Sequence, residues 1–66
     1  MQATRRVIRV DAADQLVFAF YRGTEGPLIG YAIHVLQITD GKVSEAHAFV
    51  DPALFPRFGM PAQLSR

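Results

Sequence analysis

Two histidines and a glutamate, His34, His47 and Glu45, are the residues of this chain whose types and spacing suggest chemistry. Asp40-Gly41 lies between them and favours a two-residue turn with positive φ at both central positions. Such a turn sets Thr39 opposite Lys42 and places His34 beside His47, with Leu36 opposite Glu45 and Ala32 opposite Phe49. Directly opposed Cβ atoms lie about 4.5–5.5 Å apart. In that register all three groups share one sheet face, where two imidazoles and a carboxylate suit a divalent metal or an acid–base pair. The plainer reading is a solvated, hydrogen-bonded pair of histidines, and it is the one adopted. No metal ligands, catalytic residues or cofactor are therefore assigned. His34, Glu45 and His47 are pocket candidates, joined by Tyr31, an aromatic with a polar tip fit to line a cavity.

The elements that must position these side chains follow from turn signals. Residues 6–10 form a β-branched run ended by Asp11-Ala12-Ala13-Asp14, a hairpin loop on its composition. Residues 16–21 are almost wholly apolar, as in a strand covered on both faces. A loop rich in Gly and Pro follows at residues 23–27, then long strands over residues 29–39 and 43–50. Asp51 is placed to cap a helical turn that opens on Pro52, which Pro56, Gly59 and Pro61 keep short. Leu54, Phe55 and Phe58 anchor that turn onto the sheet. The fold expected is α+β but mainly β: a curved four-stranded antiparallel sheet with a short C-terminal helical turn.

Size and charge set the outer limits. The 66 residues make one domain, and so short a chain buries only about 60% of its unfolded surface. Half of the residues are hydrophobic, which supplies a core, while the absence of cysteine removes disulfides and thiolate zinc sites. Small scaffolds without such staples lean on a partner or a second copy. A homo-oligomer, or completion by a missing half of the domain, is expected. The net charge of +1 lacks the clustered basic surface of a nucleic-acid binder; Arg5, Arg6 and Arg9 read as guards of an exposed edge strand. No apolar run follows Met1 as in a secretory leader, and the longest, residues 27–38, is too short to span a bilayer. Direct nucleic-acid and membrane contacts are not expected, and a cytoplasmic location is.

Three stretches, residues 14–22, 32–43 and 48–61, together resemble a known pattern. The last of them runs Ala48-Phe49-Val50-Asp51-Pro52-Ala53-Leu54-Phe55-Pro56-Arg57-Phe58-Gly59-Met60-Pro61. It resembles the end of the SnoaL-like domain carried by a group of actinobacterial extracytoplasmic-function RNA polymerase sigma factors, with Met60 where that family usually has Leu. The resemblance implies the later half of a nuclear-transport-factor-2-like cone, a curved sheet whose N-terminal helices are absent here, so that residues 1–66 form a partial domain. It implies a regulatory or interaction module that modulates transcription in cis, with sigma factor or RNA polymerase as partner, and without the promoter- and polymerase-binding regions. An alternative within the wider family is a small-molecule-binding or isomerase/cyclase-like domain that acts as a dimer. There an acidic residue in the cone moves a proton, and Asp11, Asp14, Glu45 and Asp51 are the carboxylates available. Asp14 and Asp51 have turn and cap roles that suffice for them, and Glu45, which points to the histidine face, is the better placed of the remaining carboxylates. Gln and Thr are more typical of the family at the places of His34 and His47, so the resemblance lends those two no role.

Overall fold

The computed structural model describes residues 3–65. Met1 and Gln2, which open the stretch read as lacking a leader, lie outside them. Alternation and turn chemistry produce β1 (Thr4–Asp11), β2 (Gln15–Gly23), β3 (Leu28–Thr39) and β4 (Lys42–Phe49). These four pair in sequence order as an open, curved antiparallel sheet. Two short 3₁₀ turns follow, Pro52–Leu54 and Pro56–Phe58. A two-residue strand that sequence reading does not anticipate, β5 (Gln63–Leu64), then pairs with the start of β3.

The β3–β4 turn is the expected one: Asp40 and Gly41 have φ of 54° and 77°. Nothing lies within 4 Å of the place where a Gly41 Cβ would stand, so a side chain there meets only backbone strain. Gly41→Ala is expected to destabilise by about 1 kcal/mol through the left-handed backbone alone. A urea denaturation midpoint equal to that of the parent would contradict this.

The sheet buries the middle of one face and covers the other only in part. β2 alternates strictly: Val17, Ala19 and Tyr21 are buried, whereas Leu16, Phe18 and Phe20 are only partly covered. The expectation that this strand is covered on both faces therefore fails for the second trio, because the C-terminal segment packs on one side only. Its Phe55 and Met60 join Val17, Ala19, Tyr21, Leu28, Ile33 and Val35 in the core, with Ile8, Phe49, Phe58 and Leu64 around them. The anchor role expected of the turn is thus met by Phe55 and Phe58, with Met60 added, whereas Leu54 is only partly buried and stands outside the core cluster. Asp51 caps the first turn by accepting a 3.0 Å hydrogen bond from the Ala53 amide, and Gly59 ends the second in the left-handed region.

Two bulges decide which residues face the core. In β3, Phe20 pairs with Ala32 and Tyr21 with Gly30, so Tyr31 is an extra residue. The core parity of β3 switches there, from Leu28 and Gly30 to Ile33 and Val35. In β4, Ile38 pairs with Val43 and Gln37 with Glu45, which makes Ser44 the extra residue. The Ser44 hydroxyl donates to the Gln37 carbonyl at 3.3 Å and shares a hydrogen bond with Thr39 Oγ1 at 3.0 Å. Beyond Ser44 the register sits one residue away from that set by the turn alone. The gain is Phe49: it now pairs with Ile33 on the core face, 6.0 Å from the Phe58 ring, rather than opposite Ala32 on the outer face.

Tyr21 ties the closing segment to the sheet. Its hydroxyl donates to the Pro61 carbonyl at 2.8 Å, and its ring meets Phe55 edge-on at 5.3 Å. Burial pushes the Tyr21 phenol up from its usual value. A raised folded-state value means that the native state holds the proton more tightly than the unfolded chain. This stabilisation is complete below about pH 10, where an unfolded tyrosine titrates, and is lost as pH rises through the folded value. Tyr21→Phe is expected to cost about 1 kcal/mol at neutral pH and to flatten the alkaline loss of stability. Tyr31→Phe, which keeps the buried phenol, is the control; identical alkaline profiles for the parent and Tyr21→Phe would refute the assignment.

Candidate functional site

The Ser44 bulge separates the two histidines. His34 pairs with Phe18 on one side and Ala48 on the other, whereas His47 pairs with Val35. Neighbouring residues along a strand point to opposite faces. His34 therefore stands on the outer face and His47 on the core face. The side-by-side arrangement expected from the Asp40-Gly41 turn is not formed, because the register slips by one at Ser44. Among the described residues no group of three His, Cys, Asp or Glu is placed to hold a metal ion.

Each candidate side chain has a definable setting. His47 Nε2 lies 3.0 Å from Glu45 Oε2, with both side chains more than half exposed, and the His47 ring stacks beside Phe49 at 6.3 Å. A surface pair of this kind contributes about 0–1 kcal/mol and creates no enclosed site. His34 packs its ring 4.6 Å from Phe20. Tyr31, turned outward by its bulge, lies 6.3 Å from the other side of the same cluster at Phe20 and carries the Arg22 guanidinium 4.5 Å above its ring. Two local arrangements result: Glu45 with His47 on one face, and Tyr31 with His34 around Phe20 on the other.

Only Tyr31 lines the groove. This depression of about 560 Å³ is bordered by Arg5, Arg22, Thr24, Ile29, Tyr31 and Pro52. None of its lining residues is acidic. Glu45, Asp11, Asp14 and Asp51 all lie elsewhere, exposed or committed to local hydrogen bonds such as Gln37 Nε2 to Asp14 Oδ2 at 3.3 Å. The groove offers cations and apolar surface rather than a base. Sequence reading missed Arg5 and Arg22 as partners because it treated Arg5 as an edge guard. A four-residue loop at Asp11–Asp14 would have set Arg5 opposite Phe20; the observed register pairs Asp11 with Leu16 and so brings Arg5 opposite Arg22.

The outer face carries a second feature. Leu16, Phe18, Phe20 and Leu36 lie side by side across β2 and β3, partly buried and outside the core cluster.

Comparison with known proteins gives one relationship. Over 59 residues, 89% of its length, the chain is 36% identical to the ECF RNA polymerase sigma factor SigG of Mycobacterium tuberculosis strain CDC 1551. The SigG of strain H37Rv matches equally. The chain spans 16% of the length of these relatives. No protein-family model matches the chain, and no solved structure does. The chain is related to one segment of an extracytoplasmic-function sigma factor. Among the described residues no helix is long and apolar enough to cross a membrane.

Proposed function

We propose that this chain is a regulatory or interaction module corresponding to part of the C-terminal SnoaL-like domain of an extracytoplasmic-function sigma factor. The observation that carries this reading is the match to SigG over nearly the whole chain. The tail from Asp51 to Pro61 supports it structurally: the residues that carry the resemblance are those that close the core, Phe55, Phe58 and Met60. On this reading Leu16, Phe18, Phe20 and Leu36 are the surface on which the remainder of the domain, or a second copy of the chain, is seated. The module acts in the cytoplasm by association, with a sigma factor or RNA polymerase as the partner it serves.

An exchange experiment tests the reading. The matching segment of a SigG-type sigma factor is deleted, or replaced by this chain, and promoter-directed transcription is measured with purified polymerase. Replacement is expected to restore the behaviour that deletion alters. A replacement indistinguishable from the deletion would defeat the proposal.

The isolated chain is expected to self-associate. The large apolar side chains of the outer face are already partly covered, so completing the burial of each would contribute only a fraction of the roughly 1.5–3 kcal/mol of full burial, against about 5 kcal/mol of total stability for so small a domain. Symmetric pairing of two such faces is the simplest cover. Light scattering at micromolar concentration should give a mass above 7.3 kDa. Phe18→Glu should return it to the monomer. A stable monomer of the parent chain would show that the half-covered face needs no partner.

A further inference from the structure

We infer that the groove between Arg5, Arg22 and Tyr31 is a binding site for a small carboxylate with an apolar body. This inference is independent of the sigma-factor reading, since it rests on the groove alone.

The first observation is a local conflict. Arg5 and Arg22 are direct partners across β1 and β2, so two guanidinium groups leave the same face from adjacent positions. Like charges directly opposed in a sheet are destabilising. Among the described residues neither arginine has a carboxylate partner; the ion pairs formed are Arg9 with Asp11 and His47 with Glu45. An anion seated between the two would relieve the repulsion and receive donors from both.

The second observation is preorganisation. Arg22 is held 4.5 Å over the Tyr31 ring, and Tyr31 is fixed there by its bulge and by Phe20. A guanidinium held in this way keeps its fork of N–H donors in a set orientation, which suits the planar carboxylate.

The third observation is the remainder of the lining. Ile29, almost half exposed, Pro52 and the Tyr31 ring supply apolar walls beside the two cations. The volume of about 560 Å³ falls within the roughly 300–1,000 Å³ of small-molecule sites. A carboxylate head between Arg5 and Arg22, with an apolar tail on Ile29 and Pro52, matches both halves of the groove. A bare inorganic anion would use only one of them.

The test uses 3-phenylpropionate as probe against the isotope-labelled full chain, followed by amide chemical shifts. Saturable shifts are expected at Gly23, Thr24, Ile29 and Gly30, with the neutral 3-phenylpropionamide at least tenfold weaker. Inorganic phosphate should also bind at least tenfold more weakly, since it lacks the apolar body. Arg5→Gln, on an exposed edge strand, should weaken the carboxylate at least tenfold while its thermal midpoint stays level or rises, because the repulsion is removed. A lowered midpoint would show that the arginine pair is structural and would overturn the inference. Arg5→Lys keeps the charge and loses the fork, so binding should fall several-fold with the fold unchanged. Equal binding of the amide or of phosphate, or no saturation up to about 10 mM, where affinity is too weak for a formed site, would also overturn it.

Discussion

Phe55→Ala is expected to abolish the folded state at room temperature. Phe55 is fully buried, the largest side chain that the C-terminal segment contributes to the core, with Met60 beside it. Its ring meets Tyr21 edge-on and lies flush against the backbone at Gly30. Truncating a buried phenylalanine costs about 3–5 kcal/mol. A domain of this size commands about 5 kcal/mol or less. The remaining margin is close to zero, so the amide spectrum should collapse toward random-coil dispersion. The backbone hub would survive as a chemical possibility, since the Phe55 carbonyl accepts from the Phe58 and Met60 amides at 3.1 and 2.9 Å. Those bonds alone cannot hold a short turn in water. A urea midpoint close to that of the parent would mean that the closing segment contributes little to the core.

The second large effect is expected at Gly30, for a different reason. A Cβ built there would stand 2.6 Å from Cζ and 2.7 Å from Cδ2 of Phe55, and nearer still to Cε2. Real carbon atoms do not approach so closely. The backbone cannot withdraw easily, because the Gly30 amide donates to the Ala62 carbonyl at 2.9 Å and β3 is paired on both sides of it. The Phe55 ring must move instead, out of a packed core. Gly30→Ala should therefore cost about 1–3 kcal/mol or more through overpacking. The same change at Gly41, in open space, should cost about 1 kcal/mol by backbone strain alone. Contact between the two sites makes the combined variant informative. With Phe55→Leu, a smaller side chain, the Gly30→Ala penalty should shrink, giving a coupling of about 1 kcal/mol or more in a double-mutant cycle. Additive costs would show that the methyl and the ring do not compete for space.

These two residues also show where the sequence could be read and where it could not. The four strands were legible because β-branched and aromatic runs alternate between clear turn signals, and Asp40-Gly41 names its own turn. The anchor role of Phe55 followed from its place between Pro52 and Gly59. The close approach at Gly30 did not, since a glycine in a strand looks the same whether a ring or water lies over it. β5 was missed because two residues after Pro61 carry no periodicity. The candidate site was read least well. His34 and His47 were paired by counting outward from the turn, and the count is correct only as far as Val43. Ser44 then adds one residue, and nothing local to the hairpin announces it. The bulged register brings Phe49 within 6.0 Å of the Phe58 ring, a contact with a residue fourteen positions beyond Ser44. The arginines of the groove were visible individually, yet their opposition depends on the β1–β2 register, which no turn of fixed length sets.

The Ser44 bulge has a kinetic consequence. The Asp40-Gly41 turn and its first pairs, Thr39 with Lys42 and Ile38 with Val43, are common to two alignments of the hairpin. In the first, with no bulge, the strands zip straight on; in the second, Ser44 is looped out. Until the C-terminal turn arrives, the straight zipper forgoes no ladder hydrogen bonds and is the natural early product. Docking of Phe58 rewards only the second, by giving Phe49 a partner. The hairpin is therefore expected to form within about 1–10 μs and to take its final alignment only when the tail closes, a second phase that stopped-flow refolding would detect. On this account the residues after Val50 proofread strands made before them, and a chain cut there is expected to keep the turn while losing the contact that favours the bulged alignment.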